Sequence, residues 1–293
     1  MASDTTARDT ATRAARGMWT LVETVHALTY FMPHVPDAFA RVGVPGFWRS
    51  YFAARAAPLG PVGPAPVTAL FLSFAPSMVA RALPDVWTRI TPEEAVHTRL
   101  VATTAALHEV LGATPRDVVD DVVAALEEAA TDLDCSGRAL AAAHRALPWP
   151  DDPLARLWWA TTLLREHRGD GHVAALVTAG VTGLEAQVWR AALDGTRAQL
   201  QGFRGWTDEQ WSAAQETLAA RGWLDAAGSL TPAGREAHRG VEETTDALAA
   251  APWRALGPDR TERLARQLRP LAETAAGFLR YPNPIGLERP RAS

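Results

Sequence analysis

The densest group of polar residues in the chain is the six-residue run His167–His172, which reads His-Arg-Gly-Asp-Gly-His. Its two glycines give the backbone freedom to turn sharply, so the run is predicted to form a loop between two helices. A carboxylate can orient a histidine ring and stabilise its protonated form, which would let one imidazole act as a general acid or base. We therefore expect catalytic roles for His167, Asp170 and His172.

The same run has a structural interpretation as a helix terminus. His167 and Arg168 would then complement the dipole at the end of one helix, and Asp170 would cap the start of the next. A metal site formed by His167, Asp170 and His172 is a further alternative. This spacing fits no standard metal site and a further ligand is not identified, so no metal is predicted.

A second candidate site lies in the N-terminal half, where aromatic residues recur at helical spacing. Tyr51 and Arg55 follow Phe47 at i+4 and i+8, and an arginine within an aromatic stripe can anchor a carboxylate or stack on a ring. Such a region has the composition of a small-molecule pocket and equally that of a tight core. The residues predicted to bind a ligand are His26, Tyr30, Phe47, Trp48, Tyr51, Arg55, Phe71, Phe74 and Arg168.

The composition excludes several classes of chemistry. All 29 basic residues are arginine, against 33 acidic residues, for a net charge of −4. Without lysine, no Schiff base with a cofactor can form. Cys135 is alone, which excludes an internal disulfide and a cysteine-cluster metal site, and a reducing cytoplasm is the expected location. The sequence patterns of phosphate-binding loops, dinucleotide folds, zinc hydrolases and serine hydrolases are absent, so no cofactor is predicted.

Hydrophobic periodicity predicts an all-α fold with one small β-hairpin. Thr91–Glu94 and Thr207–Gln210 are typical helix starts, and the hairpin is predicted on either side of Ala226–Gly228. Residues 56–80 carry no charge, but their prolines leave an unbroken apolar piece of only Val67–Ala75. Because a membrane span needs about 20 such residues, this piece is expected in the protein core and no membrane partner is predicted.

The chain is predicted to divide at the proline-rich segment 148–153. A helical domain with the aromatic-lined pocket precedes this linker, and a winged-helix-like domain follows it. The predicted units are a flexible tail at 1–16, the helical domain at 17–147, the linker at 148–153, the winged-helix-like domain at 154–280 and a disordered tail at 281–293.

Part of the second domain resembles a MarR-type winged helix. In that family a recognition helix leads into a short wing and then into a long helix, and the residues that match this pattern in order and spacing are Leu218, Arg221-Gly222-Trp223-Leu224, Leu230-Thr231 and Gly234. The resemblance covers about residues 183–250. The whole chain is also similar to a group of actinobacterial proteins with helix-turn-helix labels and no settled biochemical role. The resemblance implies that Asp208–Arg221 is the DNA-reading helix.

The net charge of this helix is negative, which does not favour binding to DNA. It presents Asp208, Glu209 and Glu216 against the single Arg221. Reading helices normally place Arg, Lys, Asn or Gln among the phosphates and bases, and phosphate contacts supply most non-specific affinity. DNA is therefore not the expected partner, although a homodimer could bring Arg235 or Arg239 into play.

The leading hypothesis is a small-molecule-binding protein on a winged-helix scaffold that does not bind DNA. Its ligand would be apolar or aromatic with an acidic group. If the protein is an enzyme, we expect cofactor-independent isomerase, cyclase or hydrolase chemistry of specialised metabolism. A histidine of the 167–172 run would then move protons and Arg55 would anchor the ligand. The alternative is a ligand-responsive, MarR-like transcription regulator, and a third possibility is a protein-interaction module with an exposed apolar patch.

Overall fold

The computed structural model describes the backbone of residues 2–290 and the side chains of residues 10–290. Within this range the fold is all-α, as predicted, and its only β pairing is a bridge between Leu224 and Leu230. The helices before the predicted linker are α1 (Ala2–His26), α2 (Leu28–Phe31), α3 (His34–Arg41), α4 (Phe47–Ala56), α5 (Pro64–Phe71), α6 (Pro76–Ala80), α7 (Pro92–Leu111), α8 (Arg116–Thr131) and α9 (Ala139–Arg145), with 3₁₀ helices at Ala57–Leu59 and Asp85–Thr88. Those after it are α10 (Pro153–Thr178), α11 (Gly183–Asp194), α12 (Arg197–Arg204), α13 (Asp208–Ala220), α14 (Pro232–Leu248), α15 (Ala251–Leu256) and α16 (Pro258–Ala276).

The largest hydrophobic core surrounds α10, which is buried along most of its length. This helix packs against α1, α7, α8, α9 and α14, and α16 in turn packs against α1 and α8. Trp158 of α10 is fully buried in this core together with Leu126 of α8 and Leu268 of α16. The core therefore unites residues from both sides of the predicted linker 148–153. The division into separate domains stays a prediction.

The run His167–His172 does not form a loop, so this prediction was wrong. Helix α10 continues through both of its glycines from Pro153 to Thr178. Each glycine costs a helix about 1 kcal/mol relative to alanine, but packing on several sides outweighs that cost. Gly171 also has a packing role, because a Cβ atom there would lie 2.6 Å from Nη1 of Arg138.

Both predicted tails are more ordered than expected. Helix α1 already includes residues 10–16, where Ala11 and Ala15 are buried in the main core. Near the other end, Asn283 and Leu287 are buried and joined by two hydrogen bonds of 3.0 and 3.1 Å. The predictions of a flexible segment at 10–16 and a disordered one at 281–287 are therefore wrong. Met1 and residues 291–293, which the predicted tails also included, lie outside the described residues.

The predicted winged-helix region has its own small core. Helices α11, α12 and α13 enclose Trp189, Leu200 and Trp211, and the hairpin closes this core with Leu224 and Leu230. The predicted capping box at Thr207–Gln210 starts α13. This unit sits tightly on the N-terminal part, because a Cβ atom at Gly183 would lie 1.8 Å from the carbonyl oxygen of Leu72.

The uncharged segment 56–80 is folded into short helices. Val67, Phe71 and Phe74 are buried there in a second hydrophobic core. None of the helices within the described residues combines the length and apolar character that a membrane crossing needs.

Candidate functional site

A cavity of about 270 Å³ lies between the N-terminal helices, α10, α14 and the winged-helix region. Its wall combines aromatic rings with many charged groups. The aromatic residues are Trp19, Tyr51, Phe71, Phe74 and Trp189, and the charged residues are Arg55, Arg165, Arg168, Arg190, Arg204, Glu23, Glu166 and Glu242. Two of the five guanidinium groups, those of Arg168 and Arg190, are paired with Asp246 and Asp194, which lie outside the wall.

Glu166 holds two of these arginines together. Its Oε2 atom lies 3.2 Å from Nη2 of Arg55 and 2.6 Å from Nη1 of Arg165. Burial opposes ionisation of this fully buried carboxylate, but the two guanidinium groups outweigh burial and hold the pKa of Glu166 well below its usual range. One ionised carboxylate is therefore shared by two guanidinium groups.

Glu23 is the second carboxyl group in contact with this cluster. Its Oε2 atom lies 3.5 Å from Nε of Arg165, and the same oxygen has no hydrogen-bond partner among the described residues. Burial is the largest effect on this carboxyl and raises its pKa, which Arg165 only partly offsets. Arg165 therefore contacts both carboxyl groups, whereas Arg55 is paired with Glu166.

Arg55 and Arg204 are both stacked on aromatic rings. The guanidinium carbon of Arg55 lies 4.1 Å from the ring centre of Phe71, and that of Arg204 lies 4.3 Å from the ring centre of Phe74. The Nε atoms of both arginines are buried and have no hydrogen-bond partner among the described residues. A buried donor without a partner costs about 1–3 kcal/mol. An anion that draws these two side chains toward itself would supply the missing acceptors.

The Tyr51 hydroxyl lies between the charges of the two arginines. Arg55 donates to it from Nη1 at 3.0 Å, and the positive charge of Arg204 also lowers the pKa of this hydroxyl. Arg204 also donates from Nη2 to the carbonyl of Pro284 at 3.1 Å. Because Pro284 and Ile285 line the cavity, the ordered C-terminal segment forms part of its wall.

The charges at the α14 side of the cavity balance one another. Arg168 donates to Asp246 at 2.7 Å, and Arg16 pairs with Asp246 and Glu242. His172 lies 3.0 Å from the hydroxyl of Thr245 through Nδ1, and the same nitrogen is 4.0 Å from Glu242. Arg204, which has no carboxylate partner among the described residues, thus lies on the opposite side of the cavity wall with Arg55.

The structure brings about half of the predicted ligand-binding residues to this cavity. Those in its wall are Tyr51, Arg55, Phe71, Phe74 and Arg168. Tyr30 and Phe47 line a small adjoining crevice together with Tyr51 and Arg55. His26 is fully buried between the hydroxyls of Tyr30 and Thr162, at 3.0 and 3.1 Å, and burial holds its pKa well below the usual range. Trp48 is outside both walls and packs on Phe74.

The predicted catalytic residues are spread around α10. Of the three, only His172 lines the cavity. His167 is buried, and burial with the nearby Arg138 lowers its pKa to about 4. Asp170 accepts a 3.0 Å hydrogen bond from the backbone N–H of Ala141, so it caps the start of α9 rather than its own helix. Catalytic roles for these three residues stay a prediction.

The described side chains include no group of three or more His, Cys, Asp or Glu residues that could hold a metal ion. The side chains of Asp170 and His172 turn instead to Ala141 and Thr245. The geometry gives no support to the alternative of a metal at His167, Asp170 and His172.

Sequence reasoning missed Arg165, Glu166 and Arg204. A signal for the first two was present, because Arg165-Glu166 follows the apolar stretch 157–164, whose residues are buried on every side. Charges next to such a stretch must find partners in the interior. Arg204 lies in a short polar helix, and its role arises only from contacts with residues distant in sequence.

Helix α13 is the one to which the MarR resemblance assigns DNA reading. Its exposed residues include Asp208, Glu209, Ser212 and Glu216, and residues 208–220 contain no arginine or lysine. Asp208 is paired with Arg197 at 3.2 Å. The outward face of this helix is therefore acidic, as the sequence predicts.

Residues 15–280 match the model of a helix-turn-helix family. This chain belongs to that helix-turn-helix family. The match runs from α1 to the end of α16, so it covers the cavity as well as the winged-helix region of this helix-turn-helix family protein. No curated protein and no solved structure matches the chain.

The stability of the folded protein is expected to depend on pH through the carboxyl group of Asp170. Burial raises its pKa to about 6, so at pH values between the unfolded and folded pKa the folded state holds a proton that the unfolded state has released. The stability that this proton contributes is lost as the pH rises from about 4 to about 6, and it amounts to at most about 3 kcal/mol.

The variant Asp170→Asn removes this titration, while its amide oxygen can still accept the Ala141 N–H. We measure the free energy of unfolding by urea denaturation. From pH 4 to pH 7, we expect that of the wild type to fall relative to that of Asp170→Asn. Asp120→Asn on the exposed face of α8 is the control. A difference between Asp170→Asn and wild type that is the same at both pH values would contradict the buried, proton-holding role.

Proposed function

We propose that this helix-turn-helix family protein binds a small organic acid with a planar, aromatic body in the arginine-lined cavity. The observation that carries the proposal is the distribution of charge. Arg55 shares the carboxylate of Glu166 with Arg165, and Arg204 forms no ion pair with a carboxylate among the described residues, while the exposed face of α13 is acidic.

A carboxylate fits the Arg55–Arg204 side of the cavity best. Guanidinium groups present a planar fork of donors that matches a carboxylate, and such charge-assisted hydrogen bonds are stronger than neutral ones. The two buried Nε donors without partners belong to these same arginines. Both arginines are buried, and a hydrogen bond is electrostatically stronger in such surroundings than in water.

The rest of the wall favours an aromatic body. Trp19 and Tyr51 are partly exposed in the wall, and the buried rings of Phe71, Phe74 and Trp189 form the apolar layer behind its surface. The volume of about 270 Å³ lies just below the usual range for small-molecule sites, about 300–1,000 Å³. The ligand is therefore a compact acid rather than a cofactor-sized molecule.

A matched pair of compounds tests this proposal. Phenylacetate should bind at least about tenfold more tightly than the neutral phenylacetamide, since a charged hydrogen bond is worth about 1.5–3 kcal/mol. Arg204→Gln should remove most of that preference, and Arg204→Lys should keep part of it. Binding is measured by calorimetry and by the fluorescence of the cavity tryptophans.

Arg116→Gln is the control, because Arg116 is exposed on α8 and paired with Asp120. It should leave both affinities unchanged. Equal affinity for the acid and the amide, or an equal loss in both arginine variants whose thermal unfolding is normal, would contradict a carboxylate site in the cavity.

Membership of a helix-turn-helix family favours a second candidate function, that of a ligand-responsive transcription regulator. DNA contacts would then have to come from residues outside α13. Arg235 and Arg239 at the start of α14 are exposed, but Arg239 already pairs with Glu236. This charge pattern makes the binding protein the better supported of the two candidates.

A gel-shift experiment at low salt separates the candidates. We expect no binding of the wild type to duplex DNA that flanks its own gene, at about 50 mM salt, because the acidic face of α13 repels phosphates. The double variant Glu209→Arg, Glu216→Arg should gain weak, salt-sensitive binding. Tight binding by the wild type that falls steeply with salt would favour the regulator.

A further inference from the structure

Tyr51 occupies a position in the cavity wall that simple anion binding does not explain. It is partly buried on α4, and its hydroxyl accepts the 3.0 Å hydrogen bond from Arg55 on the same helix. Arg204 lines the same cavity from α12 and adds a second positive charge to its wall. A phenol that accepts a hydrogen bond from a guanidinium group is stabilised as the phenolate, because the positive donor interacts more strongly with the charged form than with the neutral phenol.

We propose that Tyr51 is the proton-transfer residue of this cavity and that the protein tautomerises a bound aromatic 2-oxo acid. This inference rests on the proposed function, since the carboxylate must first bind beside Arg55 and Arg204. It adds a chemical step that binding alone does not require.

The surroundings of Tyr51 favour the phenolate. Burial by itself raises the pKa of this hydroxyl, but Arg55, Arg204 and Arg165 outweigh burial and lower the pKa below its ordinary value. The other titratable groups near Tyr51 are Glu166 and Tyr30. The carboxylate of Glu166 is paired with Arg55 and Arg165, and the ring centre of Tyr30 on α2 lies 5.6 Å from that of Tyr51.

The pKa values of the two other tyrosines of the chain are shifted in the opposite direction. Burial is the largest effect on Tyr30 and on Tyr281, and it raises the pKa of each hydroxyl. The chain contains three tyrosines, so Tyr51 is expected to ionise first among them.

The proposed reaction balances without a cofactor. The Tyr51 phenolate takes a proton from the carbon next to the oxo group of the bound acid, and the electron pair of that C–H bond becomes the C=C bond of an enolate. The carbonyl electrons move onto its oxygen, where a guanidinium group stabilises the charge. The Tyr51 phenol then returns the proton to that oxygen, which gives the enol and restores the phenolate.

The first test uses the full chain without any ligand. In a pH titration of ¹³Cζ-labelled tyrosine followed by NMR, the Tyr51 signal, assigned with Tyr51→Phe, should titrate at a lower pH than the other two. Arg55→Gln and Arg204→Gln should each raise its midpoint, by about one pH unit for every 1.4 kcal/mol of phenolate stabilisation lost. A Tyr51 signal that titrates with or after those of Tyr30 and Tyr281 would overturn the proposal.

The second test uses phenylpyruvate in heavy water. The wild type should speed the exchange of its methylene protons by about 100-fold or more over solution, which is typical of a positioned acid–base group. Tyr51→Phe should lose this acceleration and still bind phenylpyruvate. Tyr281→Phe is the matched control, since Tyr281 is not in the cavity wall, and it should exchange like the wild type.

The outcomes separate the two proposals. Binding of phenylpyruvate with equal exchange in wild type and Tyr51→Phe overturns the proton-transfer role and leaves the binding function standing. A wild type that binds neither phenylpyruvate nor phenylacetate overturns the binding function and the reaction together.

Discussion

The ionised carboxylate of Glu166 is the group on which the interior of this protein depends. An unpaired buried charge costs several kcal/mol, so the carboxylate and the guanidinium groups of Arg55 and Arg165 have to be held together. Arg55 belongs to α4, and the other two residues belong to α10. The two helices must therefore lie next to each other at these residues. The need to keep buried charged groups paired also explains why α10 runs without a break through both glycines of the 167–172 run. A loop there would release Arg168 and His172 from their partners on α14.

The protein presents arginines to its cavity and acidic residues on the exposed face of α13. Helices α11 and α12 contribute Trp189, Arg190 and Arg204 to the wall of the cavity, while α13 turns acidic residues outward. The part of the chain that contains α11 and α12 thus forms part of the site. Membership of a helix-turn-helix family describes the scaffold, and a scaffold by itself does not determine function. The residues of the cavity wall are therefore a better basis for inferring the function than the scaffold is.

Local signals in the sequence were sufficient for much of the fold. The capping box at Thr207–Gln210, the hairpin around Ala226–Gly228 and the aromatic stripe with Arg55 depend on neighbours in sequence, and the structure contains all three. The pairing of Arg55 with Glu166 spans 111 residues and that of Arg204 with Pro284 spans 80, so no local pattern could indicate them. The loop expected at 167–172 failed because burial outweighs glycine propensity. The ordered segment 281–287 likewise depends on contacts that only the complete fold creates.

The proposed role of Arg55 and Arg204 is to receive the carboxylate of an aromatic acid. The most direct measurement is the ¹⁵N–¹H spectrum of the arginine Nε–H groups during a titration with phenylacetate, with signals assigned from single Arg→Gln variants. We predict that the signals of Arg55 and Arg204 shift and saturate together, while that of the exposed Arg116 stays in place. If neither cavity signal moves, or if Arg116 and other surface arginines move to the same extent, the claim is wrong.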